Sequence, residues 1–217
     1  MRKLKIEMVH DIVCSWCPIG YRNIQRALRN LRLDADFYFL PFELNPEMDA
    51  KGESINEHLA RRYQWDKKRL TEYRQHLLSE ANKAGVTMDF NKRPHYFNSH
   101  QAHTLIHVSE GYGKQQAMHE LLMEAYFEHG FDISNIHVLL VLAAQLGIDT
   151  AKVKQALDSD VVEKQMKIKR ERVYQLQLQS VPAFMINEHT LLTGSNSVDY
   201  FEQALKELSI SSNHKIA

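Results

Sequence analysis

Leu4, Ile6 and Met8 alternate with Lys5 and Glu7 at the start of the chain, the period-two pattern of a strand, and Val9 carries that strand into a turn. From Cys17 onward Ile24, Ala27, Leu28 and Leu31 recur at helical spacing among arginines, which predicts an amphipathic helix. Asp34-Ala35-Asp36 then turns the chain into Phe37-Tyr38-Phe39-Leu40-Pro41-Phe42, a continuous apolar run expected of a strand buried on both faces. Residues 4–42 therefore read as a β-α-β unit.

After Asn45-Pro46 the pattern becomes helical, and no strand is expected again before Ser180. Ser54-Ile55-Asn56-Glu57 has the form of a capping box opening a helix toward Tyr63. A second helix is expected from Asp66 to Ala84, where Gly85 stops it. Others are expected over Asn98–Ser109, Lys114–Glu128, Ser134–Leu146, Thr150–Leu157 and Val161–Leu178, punctuated by glycines. Val181–Ile186, the polar turn Asn187-Glu188-His189 and Thr190–Thr193 form a β-hairpin pattern. Ser197 caps a last helix with Val198, Phe201, Leu205 and Leu208 on one stripe, and the polar tail from Ser209 is expected to fray. The result is an α/β chain with a large helical insertion after its second strand, an arrangement tolerated because closure entropy grows only logarithmically with loop length.

Both cysteines of the chain, Cys14 and Cys17, lie in Val13-Cys14-Ser15-Trp16-Cys17-Pro18, between the first strand and the first helix. A Cys-x-x-Cys pair at such a junction reads as a redox motif. If the helix begins near Cys14, its unpaired N–H groups favour a thiolate there, which makes Cys14 the nucleophile and the more buried Cys17 the resolving thiol. Pro18 suits a first helical turn, and Trp16 offers a flat apolar surface to a partner. A structural zinc site needs about four ligands. No second Cys-x-x-Cys is present. His100, His103 and His107 fall at helical spacing with no obvious carboxylate partner, and are read as partly buried helix surface. His10 could join the pair as a ligand, but its place at the strand end reads it as a supporting residue behind the site or a surface residue, and Phe39, Phe42, Tyr126 and Phe127 read as core.

Composition adds limits. Twenty-seven basic residues balance 27 acidic ones, which gives no global attraction to nucleic acid or an anionic membrane. The longest apolar run, Val138–Ala144, is far short of the roughly 20 residues of a membrane helix. The first residues lack the apolar core of a secretory signal, so a cytoplasmic location is expected. In that reducing compartment a lone cysteine pair is more often catalytic or metal-binding than structural.

Several stretches carry a family likeness: Asp11 to Gly20, Phe42 to Pro46, Asp89-Phe90-Asn91, Asn98 to His103, Ala125-Tyr126-Phe127 with Asp132-Ile133, and Ser180 to Phe184. On these the chain resembles the DsbA-like thioredoxin superfamily, and more closely its cytoplasmic FrnE-like branch of dithiol–disulfide oxidoreductases and isomerases. Ser15 and Pro18 stand where Pro and Tyr are usual in that branch, and Gln179-Ser180 replaces a pair that usually contains glycine. The resemblance implies a thioredoxin-like domain of residues 1–45 and 161–210, a helical insertion over 46–160 and a flexible tail over 211–217. It also implies a cis Val181–Pro182 peptide beside the cysteines, presenting backbone to an extended substrate; the residues alone leave an ordinary trans proline open. Ser15, Trp16, Pro18, Val181, Pro182, Asn98 and His103 are the expected substrate contacts.

The activity implied is thiol–disulfide exchange on a protein or small-molecule substrate, with no cofactor beyond the redox-active pair and glutathione as a candidate reductant. Two alternatives share the architecture. One is a kappa-like glutathione transferase or isomerase, whose nucleophile is typically serine; the other is a non-catalytic peptide-binding or redox-sensing protein.

Overall fold

The computed structural model describes residues 3–49 and 51–213. Strand β1 (Leu4–His10) leads through the cysteine turn to α1 (Cys17–Asn30) and β2 (Ala35–Pro41). A short strand β3 (Glu53–Ser54) and helices α2 (Ile55–Tyr63) and α3 (Lys67–Ala84) follow, then β4 (His95–Tyr96). Five helices come next: α4 (His100–Glu110), α5 (Gln115–Phe127), α6 (Ile136–Gln145), α7 (Thr150–Leu157) and α8 (Asp160–Gln175). The chain ends in β5 (Ala183–Ile186), β6 (Thr190–Thr193) and α9 (Val198–Asn213).

The main sheet has the order β2-β1-β5-β6, with β1 parallel to β2 and antiparallel to β5. Because β1 is paired on both sides, Ile6 to His10 are all buried, and Val9 lies opposite Ala183. Helices α1 and α9 pack together, while α4, α5 and α8 pack on β2. Phe201 of α9 meets Phe184 of β5 edge to face at 5.4 Å, closing the core at that end. Gly20 lets α1 approach the loop before β5: a Cβ there would sit 2.8 Å from Pro182 Cγ and 3.2 Å from Ser195 Cα.

Asp66 caps α3 by accepting the Arg69 N–H at 2.8 Å, and Gly85 ends it with φ +72°. At α9 the Ser197 hydroxyl accepts the Tyr200 N–H at 3.3 Å. Elsewhere the structure departs from expectation. Ser54 precedes α2 but makes no side-chain cap, because it pairs with His95 in a ribbon formed by β3 and β4. That ribbon breaks the expected strand-free interval; strands of two residues are too short to show alternation. Helix α8 stops at Gln175, short of Leu178, and α9 continues through Ser209 to Asn213. The expected tail from 211 therefore overlaps α9, and residues 214–217 lie outside the described residues.

The histidines differ most. His10 is fully buried, not at the surface, and its ring lies 4.7 Å from His119 and 5.0 Å from His103. His119 stacks on Phe39 at 4.2 Å and meets Tyr21 edge-on at 4.7 Å. The α4 histidines do have carboxylate partners: Glu43 at 3.1 Å from His100 and Asp11 at 3.4 Å from His103, both from outside the helix, and Glu110, one turn on in α4 itself, at 3.3 Å from His107.

Burial pushes the His119 imidazole down to about 3 and His10 well below the usual histidine range, with His119, His103 and Lys169 adding to His10 and His103 to His119. Neither ring has a hydrogen-bond partner among the described residues. Both are therefore held neutral. Below about pH 6.5 the unfolded chain takes up protons that the folded protein refuses, so stability falls as pH drops, by up to about 1.4 kcal/mol per pH unit for each ring. We expect urea unfolding at about pH 5.5 to show roughly 2–3 kcal/mol less stability than at about pH 7.5, and His119→Phe to remove about half of that difference. Equal pH dependence in the variant would contradict the assignment. Gly20→Ala is expected to cost about 1–3 kcal/mol in the same assay by forcing Pro182 away from α1.

Candidate active site

The turn between β1 and α1 is built from two successive backbone hydrogen bonds, Cys14 N–H to Asp11 C=O at 3.2 Å and Cys17 N–H to Cys14 C=O at 3.1 Å. The helix itself begins at Cys17, with Trp16 at its N-cap in right-handed helical conformation. The helix thus starts at Cys17, where the apolar stripe placed it, and Cys14 sits one turn ahead, so the condition that would set its sulfur over the first turn is not met. The reason is local: Pro18, early in α1, leaves the preceding residues to close their own turns.

Cys14 and Cys17 are free thiols 3.4 Å apart. Their surroundings are unequal. Cys14 is 7% exposed and its Sγ lies 3.7 Å from the Val181 carbonyl oxygen, which it faces as a donor. The Val181–Pro182 peptide is cis. Cys17 is fully enclosed, and burial pushes its thiol well above the ordinary range, with the neighbouring Cys14 sulfur acting in the same direction.

Behind the pair, the Asp11 carboxylate is buried and saturated. Its Oδ2 accepts the Leu44 N–H at 2.7 Å, and its Oδ1 accepts the Val13 N–H at 3.3 Å and faces His103 Nε2 at 3.4 Å. Asp11 thereby ties the cysteine turn to the segment after β2 and to α4.

Of the expected contacts, the structure groups Cys14, Cys17, Trp16, Val181 and Pro182. Trp16 is partly exposed, its ring 5.6 Å from that of His76 on α3. The others point elsewhere. Ser15 is 6% exposed, and its hydroxyl accepts Arg93 Nη2 at 3.2 Å inside the protein. Pro18 is turned toward α5 and lines a cleft of about 200 Å³ with Arg22, Val86, Met123 and Phe127, a cleft that includes neither cysteine. His103 is 3% exposed and spent on Asp11. Asn98 donates to the carbonyls of Pro46 and Met48 at 3.3 and 3.1 Å, fastening a loop. Both Asn98 and His103 thus serve architecture.

Arg93 escaped the sequence reading. In Asn91-Lys92-Arg93-Pro94 it looks like part of a solvated charge run. It is instead 2% exposed, with its guanidinium 5.0, 5.0 and 4.6 Å from the ring centroids of Phe90, Tyr126 and Phe127. Its loop is pinned by the Asp89 N–H to Phe127 C=O bond at 2.8 Å. Gly130, at φ +69°, adds close backbone contact: a Cβ there would lie 1.8 Å from the Lys92 carbonyl oxygen.

Among the described residues no group of three or more His, Cys, Asp or Glu side chains could hold a metal ion. No described helix is long and apolar enough to cross a membrane.

Comparison with known proteins places this arrangement. The chain is 26% identical over 204 residues to the uncharacterized protein YwbO of Bacillus subtilis (strain 168), covering 93% of this chain and 96% of that one. Its fold is shared with a probable DsbA oxidoreductase from Streptomyces coelicolor, at TM-score 0.87 and 20% identity over 94% of this chain and 89% of the other. It is also shared with a 2-hydroxychromene-2-carboxylate isomerase, at TM-score 0.73 and 14% identity over 98% and 99% of the two chains. The profile of the DSBA-like thioredoxin domain matches residues 5–206, from within β1 into α9, and the chain belongs to that family.

Proposed function

We propose that this protein exchanges thiols and disulfides, with Cys14 as nucleophile and Cys17 as resolving thiol. The observation that carries this reading is the pair itself: two free sulfurs 3.4 Å apart, one at the rim beside the Val181 carbonyl and one sealed behind it. The Cys14 thiolate attacks a substrate disulfide R–S–S–R′, forming Cys14–S–S–R and expelling R′–S⁻, which takes up a proton. Cys17 then loses its proton and attacks Cys14 Sγ, forming the Cys14–Cys17 disulfide and expelling R–S⁻. The substrate gains two electrons and the pair loses two. Two equivalents of a thiol such as glutathione supply them back by the reverse exchange, leaving as their own disulfide. Which direction prevails follows from the potential of the pair against its partner.

The high proton affinity that burial confers on Cys17 suits the second step, because the resolving thiol stays protonated until the mixed disulfide places a target beside it. An extended peptide, or the thiol tail of a small molecule, would lie along the Val181 backbone and against Trp16. Within the family, the stretches around Cys14, Asn45, Asp89 and Val181 favour the FrnE-like branch and a cytoplasmic location. An isomerase or transferase that uses a single serine nucleophile has no need of a second sulfur at this spacing, which favours the exchange reading over that one.

Two variants test it. In a glutathione-coupled assay of insulin disulfide reduction, Cys14→Ser is expected to lose at least about 100-fold in rate. Cys17→Ser is expected to accumulate a mixed disulfide on Cys14, visible as added mass on the intact protein. Activity retained in Cys14→Ser would overturn the proposal.

A further inference from the structure

Arg93 carries a buried charge with no carboxylate in contact among the described residues. Among the described residues no carboxylate lies within 4.0 Å of its guanidinium, and Nε and Nη1 have no hydrogen-bond partner. Its Nη2 donates to the hydroxyl of Ser15, the residue that follows Cys14, and its charge also acts on the Tyr126 hydroxyl. Three aromatic faces return part of the lost hydration through cation–π attraction. An arginine so placed still lacks an anion, and burying an unpaired charge is costly.

The group of the pair that must stand as an anion before the exchange begins is the Cys14 sulfur, in the residue next to Ser15. We infer that Arg93 is a positioning residue for this chemistry, its guanidinium fixed on the Ser15 hydroxyl inside the aromatic cage as the standing counter-charge of the Cys14 thiolate. This rests on the exchange reading above. On ionisation the S–H bond of Cys14 breaks, the electron pair stays on sulfur and the proton leaves to solvent, so a negative charge appears one residue from the hydroxyl that holds Arg93.

The other groups around Cys14 do not take this part. Asp11 is anionic and opposes a second negative charge, with His103 spent on it. Cys17 stays protonated. Tyr73 and Tyr96 are raised by burial, and Cys14 and Arg93 act on both with opposite signs. Tyr126, raised to about 12 by burial, spends its hydroxyl on the His95 carbonyl. His76 faces the Trp16 ring. Arg74 lies over the Phe90 ring at 5.6 Å and is bonded to Asn56.

The test is the pH profile of Cys14 alkylation by iodoacetamide, read by intact mass in a Cys17→Ser background. Removing the charge with Arg93→Met is expected to raise the apparent pKa of Cys14 by about one unit or more, the size of effect an adjacent opposite charge produces, and to slow alkylation about tenfold at pH values below both midpoints. Arg93→Lys keeps a charge without the planar fork and is expected to fall between. The wild-type Cys14–Cys17 pair should also be more oxidising than the same pair in Arg93→Met, since the reduced form loses its stabilised thiolate. Should Arg93→Met fail to give a folded far-UV spectrum, Ser15→Ala, which frees Nη2, is expected to move the profile in the same direction by less. A profile that does not move in the folded variant overturns the inference. If turnover still depends on Cys14 in that case, the exchange reading survives; if Cys14→Ser retains turnover, that reading fails independently of Arg93.

Discussion

The double pairing of β1 is the constraint on which the site depends. With β2 on one side and β5 on the other, its register is fixed twice, and Val9 opposite Ala183 brings the end of β1 level with the start of β5. The turn that leaves β1 and the loop that enters β5 then share one end of the sheet. Cys14 is on the first and Val181 on the second, so the sulfur meets the carbonyl by virtue of strand pairing and not of any feature local to the cysteines. Gly20 and Pro182 set how closely α1 follows.

Around this contact the protein sorts its polar groups by charge. Toward the core, His10 and His119 are neutral rings packed as if they were aromatic hydrocarbons, between β1, β2, α4 and α5. Next to Cys17 lies a carboxylate whose lone pairs are already taken up by backbone N–H groups. On the Ser15 side of the turn lies a cation without a carboxylate. Two sulfurs in van der Waals contact therefore stand in different fields, which is the condition a stepwise exchange requires.

Much of this was legible in the sequence, and the reasons are specific. Alternation over Leu4–Met8, the stripe Ile24-Ala27-Leu28 and the Asp66 and Gly85 helix boundaries are local signals, and the structure keeps each. The capping-box pattern at Ser54 was misleading because a long-range partner, His95, competed for that residue. The burial of Arg93 depends on rings from a helix more than thirty positions away, Tyr126 and Phe127, and no spacing rule within its own segment reports that. The carboxylates opposite His100 and His103 arrive from the β2 exit and the β1 turn, again beyond any helical window. Charge and burial were thus hardest to read where partners were distant.

The same connectivity governs the order in which the protein is made. Strand β1 and the cysteine turn are made before β5, which completes the pairing and is encoded after helices α1 to α8. Until then β1 has β2 alone beside it, an unfinished edge, and the thiols lack the loop that later covers them. A nascent chain of this topology carries both cysteine thiols without their cover until the β5–β6 hairpin docks beside β1.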